Sequence, residues 1–180
     1  SLPDGWIPSF EWGATAEHSL PMPLGTNRWG GIDFDVRGAI QLTSSTLSSR
    51  QGKFPHHVSG IPVGRRSRTL HFLHGVDWNV RTGTTVGGYF IRYVTGEEEL
   101  VRVVYGRDVL DWWAEPPAGG TNGPIVAWQG SNSASRRKNA SVRVYRSTWE
   151  NPRWDIPIQS ITFATARTAC GPFLLAISVE

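Results

Sequence analysis

The sequence predicts an all-β fold, an antiparallel β-sandwich of jelly-roll type with eight or nine strands and little helix. Three observations predict it: apolar and polar residues alternate in many short runs, 20 glycines and 12 prolines divide those runs, and no stretch has a convincing amphipathic-helix period. A chain of 180 residues is long enough to bury one core of this kind. We expect an irregular N-terminal wrap over residues 1–31 and the β-sandwich domain over residues 32–180.

Alternating runs predict the individual strands. Residues 32–42 alternate and predict a half-buried strand, and residues 70–78 alternate with even-numbered residues on one face. The runs 86–94 and 99–105 flank Thr95-Gly96, which predicts a hairpin. Shorter strands are expected at 58–63, 125–130, 142–145, 156–165 and 172–179. We expect a polar loop at 43–50, a single helical turn or bend at 108–113, and a polar, mobile loop at 131–140.

Composition excludes several function classes. One cysteine, Cys170, rules out an internal disulfide, and its apolar neighbourhood predicts a small buried residue. No apolar run approaches the length of a membrane span, so we expect no membrane insertion. The basic runs at 65–68 and 136–138 carry no interleaved aromatic residues, and the net charge is only +3. We therefore expect no nucleic-acid partner.

The histidines and acids carry no recognised catalytic or metal-binding spacing. His71 and His74 are three residues apart on a strand, which places them on opposite faces, so the sequence predicts no transition-metal site and no cofactor. A structural calcium ion stays open at the Asp33/Asp35 pair or the Asp108/Asp111 pair. No G-x-S-x-G motif is present. A small hydrolase or metal-dependent enzyme would need His71 or His74 beside Asp108 or a glutamate in an open pocket.

Nine tryptophans stand out, because they concentrate beside Gly, Pro, Asn and Asp at strand ends. A tryptophan in a polar loop can stack on a sugar ring while neighbouring polar side chains hold the hydroxyl groups. The alternative is that these rings plug the ends of the sandwich. The predicted carbohydrate-binding residues form three groups: Asp77, Trp78 and Asn79; Asp108, Trp112 and Trp113; and Trp149, Asn151 and Arg153.

Four stretches carry a family likeness: residues 61–78 (IPVGRRSRTLHFLHGVDW), 87–113 (GGYFIRYVTGEEELVRVVYGRDVLDWW), 142–163 (VRVYRSTWENPRWDIPIQSITF) and 171–180 (GPFLLAISVE). Together they resemble the galactose-binding-domain-like, carbohydrate-binding-module type of β-sandwich found in bacterial multidomain proteins. The resemblance spans about residues 31–180. It implies an appended module of a larger bacterial protein, placed outside the cell, in the periplasm or on the cell surface.

Three hypotheses follow. The first is a non-catalytic module that binds a polysaccharide or glycan. The second is a protein-interaction or structural module of a bacterial surface or signalling protein, which predicts a flat apolar patch and no aromatic-lined cleft. The third is the enzyme described above. Whether the tryptophans are exposed or buried would separate them.

Overall fold

The chain folds as an antiparallel β-sandwich, seen in a computed structural model that describes residues 6–8, 21–50, 54–115 and 123–180. One sheet has six strands in the order β1 (Trp6–Pro8), β4 (Gly38–Gln41), β12 (Gly171–Val179), β6 (Thr69–Asp77), β10 (Val142–Glu150) and β9 (Ile125–Gly130). The other has four, in the order β5 (His57–Arg65), β11 (Ile158–Thr165), β7 (Thr85–Tyr93) and β8 (Glu98–Val104). A separate hairpin consists of β2 (Gly25–Trp29) and β3 (Ile32–Val36).

The main core lies between the two large sheets. Phe72 of the six-stranded sheet stacks on Tyr89 of the four-stranded sheet with ring centroids 3.9 Å apart, and Tyr89 stacks on Phe163 at 4.9 Å. All three side chains are buried. Successive strands cross repeatedly between the sheets, at β4–β5, β5–β6, β6–β7, β10–β11 and β11–β12, as in a jelly roll. The predicted fold class is therefore confirmed, as is the hairpin of β7 and β8.

A second core covers the opposite face of the six-stranded sheet. Phe34 and Val36 of β3 pack there with Leu73 and Phe173. Strand β6 is consequently buried on both faces along residues 70–76. Its Gly75 is required by this packing, since a Cβ there would lie 2.4 Å from the ring of Phe173.

The strands differ from the prediction in three respects. Residues 32–42 form two strands, because the chain leaves the hairpin at Arg37 and enters the large sheet as β4. Strands β1 and β2 lie within the stretch predicted to be irregular, and the rest of residues 1–20 lies outside the described residues. The described residues hold more strands than the eight or nine predicted.

Both polar loops of the prediction contain a short helix, which corrects the loop at 43–50 and the mobile loop at 131–140. Helix α1 is Ser45–Arg50 and helix α2 is Ser133–Arg137. Asn132 caps α2: its side chain accepts from the amide of Ser135 at 2.8 Å, and the Ser135 hydroxyl accepts from the amide of Asn132 at 2.9 Å. Serine and asparagine favour loops and helix caps alike, so composition alone did not distinguish the two. No helix among the described residues is long and apolar enough to cross a membrane.

Candidate functional site

Two of the three predicted groups meet at one end of the sandwich. Val76 of β6 forms an isolated parallel bridge with Asp111, and the amide of Trp112 donates to the carbonyl of Val76 at 3.0 Å. A second bridge, between Tyr105 and Val109, closes the segment after β8 into a tight turn. The end of β6 and residues 111–113 therefore lie side by side.

Asp111 organises this end. Its carboxylate accepts the backbone N–H of Trp113 at 2.9 Å and also the backbone N–H of Trp78. Trp78 directly follows β6 and has φ 71°, a left-handed conformation that costs a side chain of this kind about 1–2 kcal/mol. The bond to Asp111 helps to hold that conformation. The side chain of Trp78 is 38% exposed.

Asp77 lies next to Asp111 and is half-buried. Burial, followed by the negative charge of Asp111, raises the pKa of Asp77 to about 7, against an opposing hydrogen bond from the side chain of Trp112. Burial also raises the pKa of Asp111, but its bonds from the amides of Trp113 and Trp78 oppose the rise. Near neutral pH the Asp77 carboxyl thus exists in both protonation states. The protonated form can donate a hydrogen bond as well as accept one.

Tyr105 connects Asp111, which lies beside Asp77, to Asn79. Its hydroxyl donates to Oδ1 of Asn79 at 2.8 Å and accepts from the amide of Asp111 at 3.4 Å. Burial raises the pKa of Tyr105, so the phenol remains neutral. The bond orients the exposed Asn79 amide and directs its NH₂ group away from Tyr105. Asp77, Trp78, Asn79, Tyr105 and Asp111 are called the Trp78 site below.

Three other residues at this end of the sandwich, Asp108, Trp112 and Trp113, contact neighbouring residues of the fold. The carboxylate of Asp108 accepts from the amide of Val104 at 2.7 Å and pairs with Arg107 at 2.7 Å, so it stabilises its own turn. Trp112 is only 6% exposed and belongs to the second core. Trp113 is half-buried, packs edge-on against Trp112 and lies under the ammonium of Lys138.

The third predicted group lies at the opposite end of the sandwich. Trp149 pairs with Leu70 at the start of β6, and Asp77 ends that strand, so about 24 Å separates the two ends. Trp149 is half-buried against the main core. The sequence predicted these residues as a third carbohydrate-binding group by residue type, and the strand direction places this group far from Trp78.

Asn151 and Arg153 of this group bond to neighbouring protein residues. Asn151 is 5% exposed: its Oδ1 accepts from the hydroxyl of Tyr93 at 2.6 Å, and its Nδ2 donates to the carbonyl of Ser67 at 2.9 Å. Arg153 pairs with Glu97 of the β7–β8 turn and, at 3.7 Å, with Glu99 of β8. Asn151 therefore ties two loops together.

The two strand histidines lie on opposite faces of β6, as predicted. His74 is 1% exposed and its Nδ1 lies 2.9 Å from the hydroxyl of Tyr89. Burial lowers the pKa of His74 to about 4, although the charge of Asp108 acts to raise it. His74 is consequently neutral at physiological pH.

His71 lies on the other face. Its Nδ1 is 2.8 Å from Oγ1 of Thr148 and its Nε2 is 3.2 Å from the Glu180 carboxylate. This is one histidine–glutamate contact of the kind the enzyme hypothesis required, although His71 itself is only 5% exposed. Within the described residues, no group of three His, Cys, Asp or Glu side chains could hold a metal ion.

Sequence reasoning did not include Tyr105 in the site, and it considered Asp111 as a possible calcium ligand with Asp108 and as an acidic neighbour of Trp112 and Trp113. Tyr105 reads as the last residue of an alternating strand, which is a core position by pattern. Only the fold of the following turn brings its hydroxyl to Asn79. An aspartate that precedes two tryptophans was the one local signal for Asp111.

Comparison with known protein families gave no matching family model, and comparison with curated proteins gave no match.

Proposed function

We propose that this chain is a non-catalytic module that binds carbohydrate at the Trp78 site. The observation that carries the proposal is Trp78 itself: the residue is 38% exposed on a backbone held at φ 71°, beside two carboxyl groups and an amide. A strained conformation persists where the surroundings enforce it, and such positions cluster at ligand-binding sites.

The chemistry of the site suits a sugar ring. The C–H groups of a pyranose can pack on the indole face of Trp78, since indole offers a large apolar surface. The Asn79 amide can donate to a ring hydroxyl, and the Asp77 carboxyl can donate or accept according to its protonation state. The partner in this proposal is a polysaccharide or glycan, and the chain serves as a targeting module of a larger bacterial protein that works outside the cell, in the periplasm or at the cell surface.

The test compares the wild-type chain with Trp78→Gly on a glycan array and then by affinity electrophoresis in gels that contain neutral polysaccharides. Glycine adopts φ 71° without strain, so this variant removes the ring and preserves the fold. We expect binding about tenfold weaker or worse. Asp111→Asn should weaken binding as well, because a neutral amide is a poorer acceptor for the amide of Trp78.

Ile125→Ala is the matched control, because Ile125 is an exposed apolar side chain, 52% accessible, on the edge strand β9. It should bind as the wild type does. If the wild-type chain retains no neutral glycan, or if Trp78→Gly binds as well as the wild type, the proposal is wrong.

A second candidate function, protein interaction, is favoured by the outer face of the four-stranded sheet. Phe90 and Leu100 are directly opposite in register on β7 and β8, and they are 37% and 40% exposed. Paired exposed apolar side chains on a sheet face are one element of the flat patch that this hypothesis predicts. Sedimentation velocity over a concentration series tests whether this face mediates self-association. Leu100→Glu should abolish a dimer, and a wild-type chain that stays monomeric contradicts self-association through this face.

A further inference from the structure

The end of the sandwich opposite the Trp78 site carries an aromatic ring among arginines. The loop that joins β5 to β6 and the loop that follows β10 lie together there. Buried Asn151 connects them: its side-chain Nδ2 donates to the carbonyl of Ser67 at 2.9 Å, and its backbone N–H donates to the carbonyl of Arg68 at 2.8 Å. Ser67 is also buried, and its hydroxyl is 2.9 Å from the backbone carbonyl of Glu180. The two loops therefore form a fixed base.

Four side chains project from this base. Trp154 is 47% exposed, and the guanidinium of Arg68 lies 4.1 Å from the centroid of its ring. Arg65, the last residue of β5, and Arg66, which directly follows it, are also exposed. Arg65, Arg66, Arg68 and Trp154 are called the arginine platform below.

In the part of the chain that the structure describes, the three arginines of the platform form no ion pair with a carboxylate. Among the described residues, the Arg65 guanidinium donates only to the backbone carbonyl of Val179, the Arg66 side chain has no hydrogen-bond or ion-pair partner, and the Arg68 guanidinium lies over the ring of Trp154. Six other arginines of the described part do pair with carboxylates: Arg28, Arg37, Arg92, Arg107, Arg143 and Arg153. Three guanidinium groups that form no ion pair, beside an exposed indole, are suited to an anionic ligand that also offers a flat apolar surface.

The small extent of the basic surface indicates which kind of anion it can bind. Glu150 and Asp155 are exposed at its border, and the net charge of the whole chain is only +3. A long polyanion such as a nucleic acid needs a continuous basic track and would meet these carboxylates. A single sulfated or carboxylated sugar unit would not, because one ring and one anionic group match one indole and two or three guanidinium groups.

We infer that the arginine platform binds an anionic sugar unit. The pyranose ring stacks on Trp154, and its sulfate or carboxylate accepts hydrogen bonds from Arg66 and Arg68. This site shares no residue with the Trp78 site, so the chain has two glycan-binding ends of different charge preference. The two proposals therefore succeed or fail separately.

The experiment measures binding of the full chain by isothermal titration calorimetry, at low and at physiological ionic strength. The probes are a heparin oligosaccharide, the same oligosaccharide after desulfation, a polygalacturonate oligosaccharide, and a DNA oligonucleotide of similar charge. The sulfated and carboxylated probes distinguish the two sources of the anion. The variants are Arg66→Gln, Arg68→Gln and Trp154→Ala, all at exposed positions where loss of folding is not expected.

The matched control is Arg102→Gln, which removes the same charge from an exposed arginine on β8. We expect Arg66→Gln and Arg68→Gln each to weaken binding of an anionic oligosaccharide about tenfold. Arg102→Gln should change it less than twofold, about the effect of a distant surface charge. Trp154→Ala should weaken binding of the anionic oligosaccharide by a similar factor.

Three results overturn the inference. One is absence of binding to both anionic oligosaccharides at low ionic strength. Another is equal weakening by Arg102→Gln, which would mean a diffuse charge effect. The third is tighter binding of the DNA oligonucleotide with the same dependence on Arg66 and Arg68, which would assign the surface to nucleic acid instead.

Discussion

Asp77 should make the protein less stable as pH rises, and Asp77→Asn should remove that loss. In the folded state the pKa of Asp77 is about 7, against an ordinary value of 3.8. Between these values the folded protein holds a proton that the unfolded chain has lost, so the stability contributed by this group is largest below pH 3.8 and is gone above pH 7. At 1.36 kcal/mol per pKa unit the difference is at most about 4 kcal/mol. Because Asp77 is half-buried, solvent screening reduces it, and we expect about 2 kcal/mol.

The assay is urea unfolding at a series of pH values between the two limits, followed by tryptophan fluorescence. Asparagine keeps an oxygen that can accept from Trp112 and has no charge near Asp111. At pH above 7 the variant should be more stable than the wild type by about 2 kcal/mol, or about 4–8 °C in Tm. The difference between the two proteins should shrink as pH falls. A difference that is constant with pH, or a variant that is less stable than the wild type above pH 7, refutes the reasoning.

Three further changes test the packing. The wild type loses about 3 kcal/mol of stability from His74 as pH falls from 6.5 to 4, because the folded pKa of His74 is lowered to about 4. His74→Gln should remove this loss, so the urea midpoint of the variant should increase relative to that of the wild type as pH falls through this range. Gly75→Ala should cost about 1–3 kcal/mol of unfolding free energy through collision with Phe173, whereas Gly123→Ala, where no atom lies within 4 Å, should be neutral in the same urea titration. Asn151→Ala should cost about 1–3 kcal/mol in thermal unfolding because buried polar partners lose their bonds, and an unchanged Tm would contradict that role.

Most strands could be predicted because alternation is a local property. The runs 86–94 and 99–105 correspond to β7 and β8, and the run 70–78 corresponds to β6, since the two-residue period of a strand is visible without any neighbour. The short helices could not be predicted in the same way. Helix α2 depends on the reciprocal bonds of Asn132 and Ser135, and those residue types fit a loop equally well.

For the candidate site, too, local features could be predicted from the sequence and contacts between distant segments could not. Strand parity placed His71 and His74 on opposite faces, and the polar residues beside Trp78 marked a strand end worth attention. The sequence could not predict the burial of Trp112 or the distance between Trp78 and Trp149, because both depend on which segments pack across the sheet.

By itself, the sequence determined the all-β class, the main strands and the polar character of their ends, since these follow from local periodicity and turn-forming residues. The tertiary structure alone decided which of those ends meet. It turned the segment after β8 back onto Val76, placed Asp111 against both Asp77 and the amide of Trp78, and left Trp149, Asn151 and Arg153 at the far end of the same strands. The physical reason is that an antiparallel sandwich sends every second strand end to the opposite side, so proximity along the chain does not determine proximity in space.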